Sequence, residues 1–147
     1  MEDKTAHRLS HVLWMGDSPC SGKSTIAALL AERYGLAVYS CDDAVDRHVR
    51  LAGSERAPVM HRLSNASRDE LWMRPLEQQV GEEIRFYEEE CSSILDDLRA
   101  LPNDRQVSAE GAALMPHLLG GIGVPTSRAI WLVPSPSFQC EQYARRA

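Results

Sequence analysis

No apolar run in the 147-residue chain approaches the ~20 residues needed to span a bilayer, and the opening MEDKTAHRLS lacks the basic, apolar and small-residue order of a secretory signal. The expected setting is the cytoplasm, with no membrane partner. Cysteine is scarce and scattered: Cys20, Cys41, Cys91 and Cys140 form no C-x-x-C pair, so neither a disulfide framework nor a zinc site is expected. His7 and His11 stand four apart without a third ligand, which sets metal-hydrolase chemistry aside. An excess of positive charge is also missing. Sixteen Lys and Arg against 21 Asp and Glu give a formal charge of −5, which removes any general attraction for nucleic acid or anionic lipid. Only two of those cations are lysines, Lys4 and Lys23, and this singles out Lys23 in mid-chain. What is present, 44% hydrophobic, 25% charged and 6% aromatic residues, is the balance of one globular domain, not of a collagen-like, low-complexity or disordered chain.

Periodicity orders the chain as an α/β unit. The run LSHVLWM (9–15) is short, apolar and followed by a Gly/Ser/Pro turn, which predicts a buried strand. In GKSTIAALLAERYG, Ile26, Leu29, Leu30 and Arg33 follow helical spacing and Gly35 marks the stop. LAVYS (36–40) predicts a second strand, ending in the acidic turn Cys41-Asp42-Asp43 with a short helix over 43–52. The result is a β-α-β unit with parallel strands. Residues 53–68 read as a loop containing a helical turn. From Leu76 to Leu98 apolar positions recur every three or four residues, predicting one long amphipathic helix over about 69–100, stopped by Pro102 and Asn103. RQVSAEG (105–111) predicts a third strand, AALMPHLLG a short helix and RAIWLVP (128–134) a fourth strand. GGIG (120–123) precedes a strand, whereas a dinucleotide fingerprint follows one, so it is read as punctuation. PSFQCEQYARRA opens a last helix with Ser137 as its cap.

The most specific signal is Asp17-Ser-Pro-Cys-Ser-Gly22-Lys23-Ser24, between a predicted strand and a predicted helix. Phosphate binding needs inward-pointing backbone N–H groups, a helix N-terminus behind them, a Lys for the outer phosphates and a hydroxyl for Mg²⁺. Pro19, Cys20, Ser21, Gly22, Lys23, Ser24 and Thr25 supply these. A strict G-x-x-x-x-G-K-[ST] needs Gly at position 17; Asp17 stands there, with Gly16 one residue early. Asp tolerates left-handed backbone, so the turn is expected to survive, while its charge opposes a triphosphate. Cys20 is read as a loop residue, not a nucleophile.

GDSPCSGKSTIA, the acidic turn CDD, AEG at the end of the third strand and WLVPSPSFQCEQYARR together resemble the P-loop small-molecule kinases. The likeness is to the group labelled 2-phosphoglycerate-kinase-like or zeta-toxin-like, akin to shikimate, gluconate and chloramphenicol kinases. The resemblance implies a three-layer P-loop NTPase fold with a parallel sheet of order 2-3-1-4-5. It implies one domain over 1–147 with a helical acceptor-binding insertion at 53–101, and ATP and Mg²⁺ as cosubstrates. The γ-phosphoryl group would pass to a hydroxylated or phosphorylated small acceptor. The sequence supplies four of the five strands, so a C-terminally truncated product is expected, with AIWLV as an exposed apolar edge. The alternatives are a non-catalytic nucleotide-binding module and an inactive remnant.

On the acceptor side, Asp43 before Asp42 would accept the proton of the attacking hydroxyl or orient Mg²⁺, or else Asp42 caps the following helix with Asp43 in its dipole. Glu110 is either a carboxylate near Mg²⁺ or the acceptor, or a solvated strand end. Arg74, after Trp72 and Met73, would clamp an anionic substrate or lie on the surface. Arg145 and Arg146 begin a cationic lid or form a frayed end.

Overall fold

The computed structural model describes residues 9–146; His7 and Lys4 lie outside them. Strand β1 (Val12–Asp17) leads through a turn into α1 (Lys23–Tyr34), β2 (Ala37–Ser40) and four consecutive helices. These are α2 (Cys41–Arg56), α3 (Pro58–Asn65), α4 (Arg68–Trp72) and α5 (Leu76–Ala100). Strand β3 (Val107–Gly111), α6 (Pro116–Gly121), a 3-10 turn (Thr126–Arg128), β4 (Ala129–Leu132) and α7 (Pro136–Arg146) complete the described chain. The molecule is α/β, with one all-parallel sheet of order β2-β3-β1-β4. No described helix is long and apolar enough to cross a membrane.

The central pair β1 and β3 is buried almost throughout, as expected where both sheet faces are covered. Val12, Trp14, Val107 and Ala109 share one core with Ile94, Leu95 and Leu98 of α5 and Cys41 of α2. On the opposite face Leu13, Ser108 and Ile130 stand beside Leu30 of α1. Helix α1 covers that face sparsely: Ala27 is its buried residue, while Leu29 is 60% exposed.

Three expectations from the sequence are corrected. Most of 53–68 is helical: Gly53, at φ 67° and outside helical geometry, kinks α2, Ala57 separates it from α3, and Pro58 takes the first turn of α3. The helix expected over 69–100 is two, because Pro75 cannot continue a helix; α4 stops at Trp72 behind a Ser67/Glu70 capping box, and α5 starts at Leu76. The cap of α7 is Ser135, not Ser137: Phe138 N–H donates to Ser135 Oγ at 3.3 Å, and Pro136 takes the first helical position.

A buried polar network fixes α2 against α5. His48, 1% exposed, places Nδ1 2.9 Å from Glu90 Oε1 and Nε2 2.8 Å from Asp97 Oδ2. Asp97 also accepts from Tyr39 Oη at 2.7 Å and from both terminal nitrogens of Arg47. Arg47 first, with Tyr39 and His48, holds the Asp97 carboxyl well below its usual range against the opposing effect of burial. Burial pushes Glu90 up. Both ring nitrogens of His48 thus have a carboxyl partner, one on each side.

Candidate phosphate-loop site

Two left-handed residues shape the turn after β1, Cys20 at φ 63° and Gly22 at φ 84°. Asp17 is not one of them: it belongs to β1 and pairs with Leu132, so the expectation that it would carry the left-handed turn is corrected. The glycine one place earlier has a packing role. A Cβ on Gly16 would lie 2.4 Å from the Trp131 ring and 2.5 Å from Leu114 O, the carbonyl that accepts from Trp131 Nε1 at 2.8 Å.

Gly22 precedes α1 without a side-chain cap, which leaves the first-turn N–H groups to the space above the loop. That space is a cavity of about 270 Å³. All seven residues from Pro19 to Thr25 line it, with Asp42, Tyr87, Ala112 and Arg146 around them. Helix α7 is tied to the loop, as Gln139 Nε2 donates to Pro19 O at 3.0 Å.

Lys23 Nζ lies 3.1 Å from Asp17 Oδ2 and 3.3 Å from Asp42 Oδ2. Burial opposes its charge, but the two carboxylates outweigh burial and raise its pKa above the usual value. Asp17 accepts from Ser21 Oγ at 3.0 Å on the same oxygen, while its Oδ1 is buried without a partner. Burial raises the Asp17 pKa despite Lys23 and Ser21.

Glu110, 3% exposed at the end of β3, accepts from Ser24 Oγ at a long 3.5 Å, and its Oε2 is buried without a partner. Burial raises its pKa against the pull of Ser40 and Lys23. Among the described residues no three His, Cys, Asp or Glu side chains gather into a metal cage. One hydroxyl and one carboxylate with an orphaned oxygen form the sparse donor set that suits Mg²⁺, which keeps water and phosphate ligands of its own.

A second cavity, of about 350 Å³, opens between α2, α3 and α5, and it shares Asp42 and Tyr87 with the loop cavity. The preference for Asp43 over Asp42 is corrected: Asp42 lines both cavities and Asp43 lines neither. Neither caps α2; Ser40 does, accepting from Asp43 N–H at 3.4 Å. Arg74 lines the second cavity, paired with Glu82, which also binds Arg62. A third cavity of about 360 Å³, beside Arg47, Leu51 and Asp96, touches no loop residue.

Tyr87 and Gln139 were not distinguishable as site residues by sequence: Tyr87 falls on an apolar helical position, and nothing local links position 139 to position 19. Arg146, and not Arg145, lines the loop cavity. No family model matches the chain, and no curated protein matches its sequence.

Proposed function

We propose that the chain is a P-loop phosphotransferase of the small-molecule kinase type, binding Mg-ATP on residues 19–25 and passing the γ-phosphoryl group to a hydroxyl in the neighbouring cavity. The observation that carries this reading is the meeting of the two cavities at Asp42 and Tyr87, beside Lys23. The β2-β3-β1-β4 order supports it, being the first four places of the 2-3-1-4-5 sheet that the sequence resemblance implies.

In this mechanism the loop N–H groups and Lys23 hold the β- and γ-phosphates, and phosphate oxygens compete with Asp17 and Asp42 for the Lys23 ammonium. Ser24 and Glu110 would hold Mg²⁺, which supplies charge neutralisation across the phosphates when bound. Asp42 takes the proton as the acceptor oxygen bonds to phosphorus, and ADP leaves with the electron pair of the broken bond. Arg146 adds positive charge at the rim. One observation opposes tight nucleotide binding: Asp17 already pairs with the Lys23 ammonium.

Thermal melting with and without Mg-ATP tests the reading. At a hundredfold excess over Kd, binding stabilises by about 2.7 kcal/mol, a shift of several degrees. The shift is expected in the native chain and not in Lys23→Ala; its absence from a cooperatively melting native chain removes the reading.

A further inference from the structure

Resting on that reading, the lining of the second cavity narrows the acceptor. Its body is apolar and aromatic: Val45, Leu63, Leu71, Phe86 and Tyr87 line it. Its ionisable groups are mostly acidic. Asp42, Glu83 and Glu90 face it, against Arg74 as the one lining cation. Arg74 is already engaged, its guanidinium paired with Glu82 and its Nε donating to Leu71 O at 3.0 Å. An anionic acceptor would have to strip Arg74 from Glu82 and sit among three carboxyl groups, which costs desolvation without a free counter-charge.

Glu83 has the opposite character. It is exposed on α5, accepts from Tyr87 Oη at 2.6 Å, and keeps a second carboxylate oxygen for a ligand. The adjacent Phe86 and Tyr87 rings, edge to face at 6.0 Å, offer π-surface to a cation. We propose that the acceptor is a small amphiphilic amino alcohol: its hydroxyl meets Asp42, its apolar body lies against Leu63, Leu71 and Phe86, and its ammonium is held by Glu83. Transfer forms the acceptor O–P bond, breaks the bond from the γ-phosphorus to the bridging oxygen, and sends the hydroxyl proton through Asp42 to solvent. The products are the phosphate monoester of the amino alcohol and ADP.

Three probes share a phenyl ring and a hydroxyl and differ in charge: phenylglycinol is cationic, styrene glycol neutral and mandelate anionic. Calorimetric titration of the full chain is expected to give phenylglycinol at least tenfold tighter than styrene glycol, with no binding of mandelate or of glycerol phosphate. Glu83→Gln, of the same size, is expected to bring phenylglycinol down to the styrene glycol value. Tighter binding of either anion, equal binding of all three phenyl probes, binding of none, or a charge preference unchanged in Glu83→Gln overturns the proposal. A melting curve of each variant separates lost binding from lost fold. Titration with Mg-ATP, in the native chain and in Lys23→Ala, separates the two levels. Lys23-dependent nucleotide binding beside an anion-preferring cavity removes only the acceptor class. Cation-preferring binding without nucleotide binding removes phosphotransfer.

Discussion

Asp17 occupies the position at which a strict phosphate loop has glycine, and its carboxylate lies 3.1 Å from Lys23 Nζ. A phosphate must displace that carboxylate, so Asp17→Asn, isosteric and uncharged, is expected to tighten Mg-ATP binding about tenfold, or about 1.4 kcal/mol, by calorimetry. The sign with pH follows from burial, which raises the Asp17 pKa and so lets its charge be lost earlier as pH falls. The gap between native chain and Asp17→Asn should therefore narrow toward acid, and a constant gap would mean that Asp17 charge is not the competitor. One residue earlier the constraint is steric. Gly16→Ala drives a methyl group into Trp131 and Leu114 O, and a loss of about 2 kcal/mol is expected in denaturant unfolding.

Helices α2 and α5 form two walls of the second cavity, and the His48 network joins them to each other and to Tyr39 of β2. Asp97→Ala leaves His48 and Arg47 without their shared acceptor, and a loss of about 3 kcal/mol is expected. Because the folded-state pKa of Asp97 is depressed, its stabilisation is complete above the unfolded value of about 3.9 and is lost as pH falls below it. The native chain should thus lose stability on that acid limb more steeply than Asp97→Ala, as read by urea midpoints across pH. Glu90 acts with the opposite sign: its raised pKa means that its contribution is full in acid and declines as pH rises through the folded value.

Across the whole molecule, the sheet ends on β4, which pairs with β1 alone among the described strands. Ile130 is 54% exposed on it and Val133, just beyond, 79%. An apolar edge strand is a template for pairing with another chain, so the 147-residue chain is expected to self-associate with rising concentration. Ile130→Lys is expected to shift sedimentation toward the monomer, with a melting curve to show that the variant is folded. Equal sedimentation of the two proteins would show that this edge is not the contact.

Local rules decided much of this protein from its sequence. Alternation and apolar runs located all four strands to within a few residues, Gly35 ended α1, and Pro102 followed the close of α5. The Gly22 turn into α1 was legible because it depends on neighbours in the chain. Pro75 also held its information locally, yet the apolar periodicity on both sides masked the break it imposes. Other features exist only through contacts distant in sequence. Tyr87 joins Asp42 where two cavities meet, Gln139 reaches Pro19, His48 becomes polar core because Glu90 and Asp97 face it, and Arg74 is neutralised by Glu82. The sequence by itself determined the four strands and the helix after the Gly22 turn, since those follow from backbone conformation and neighbouring residues. Only the tertiary structure decided which of Asp42 and Asp43 faces the cavities and which charges remain free, because pairing and desolvation depend on what the fold brings within a few ångströms.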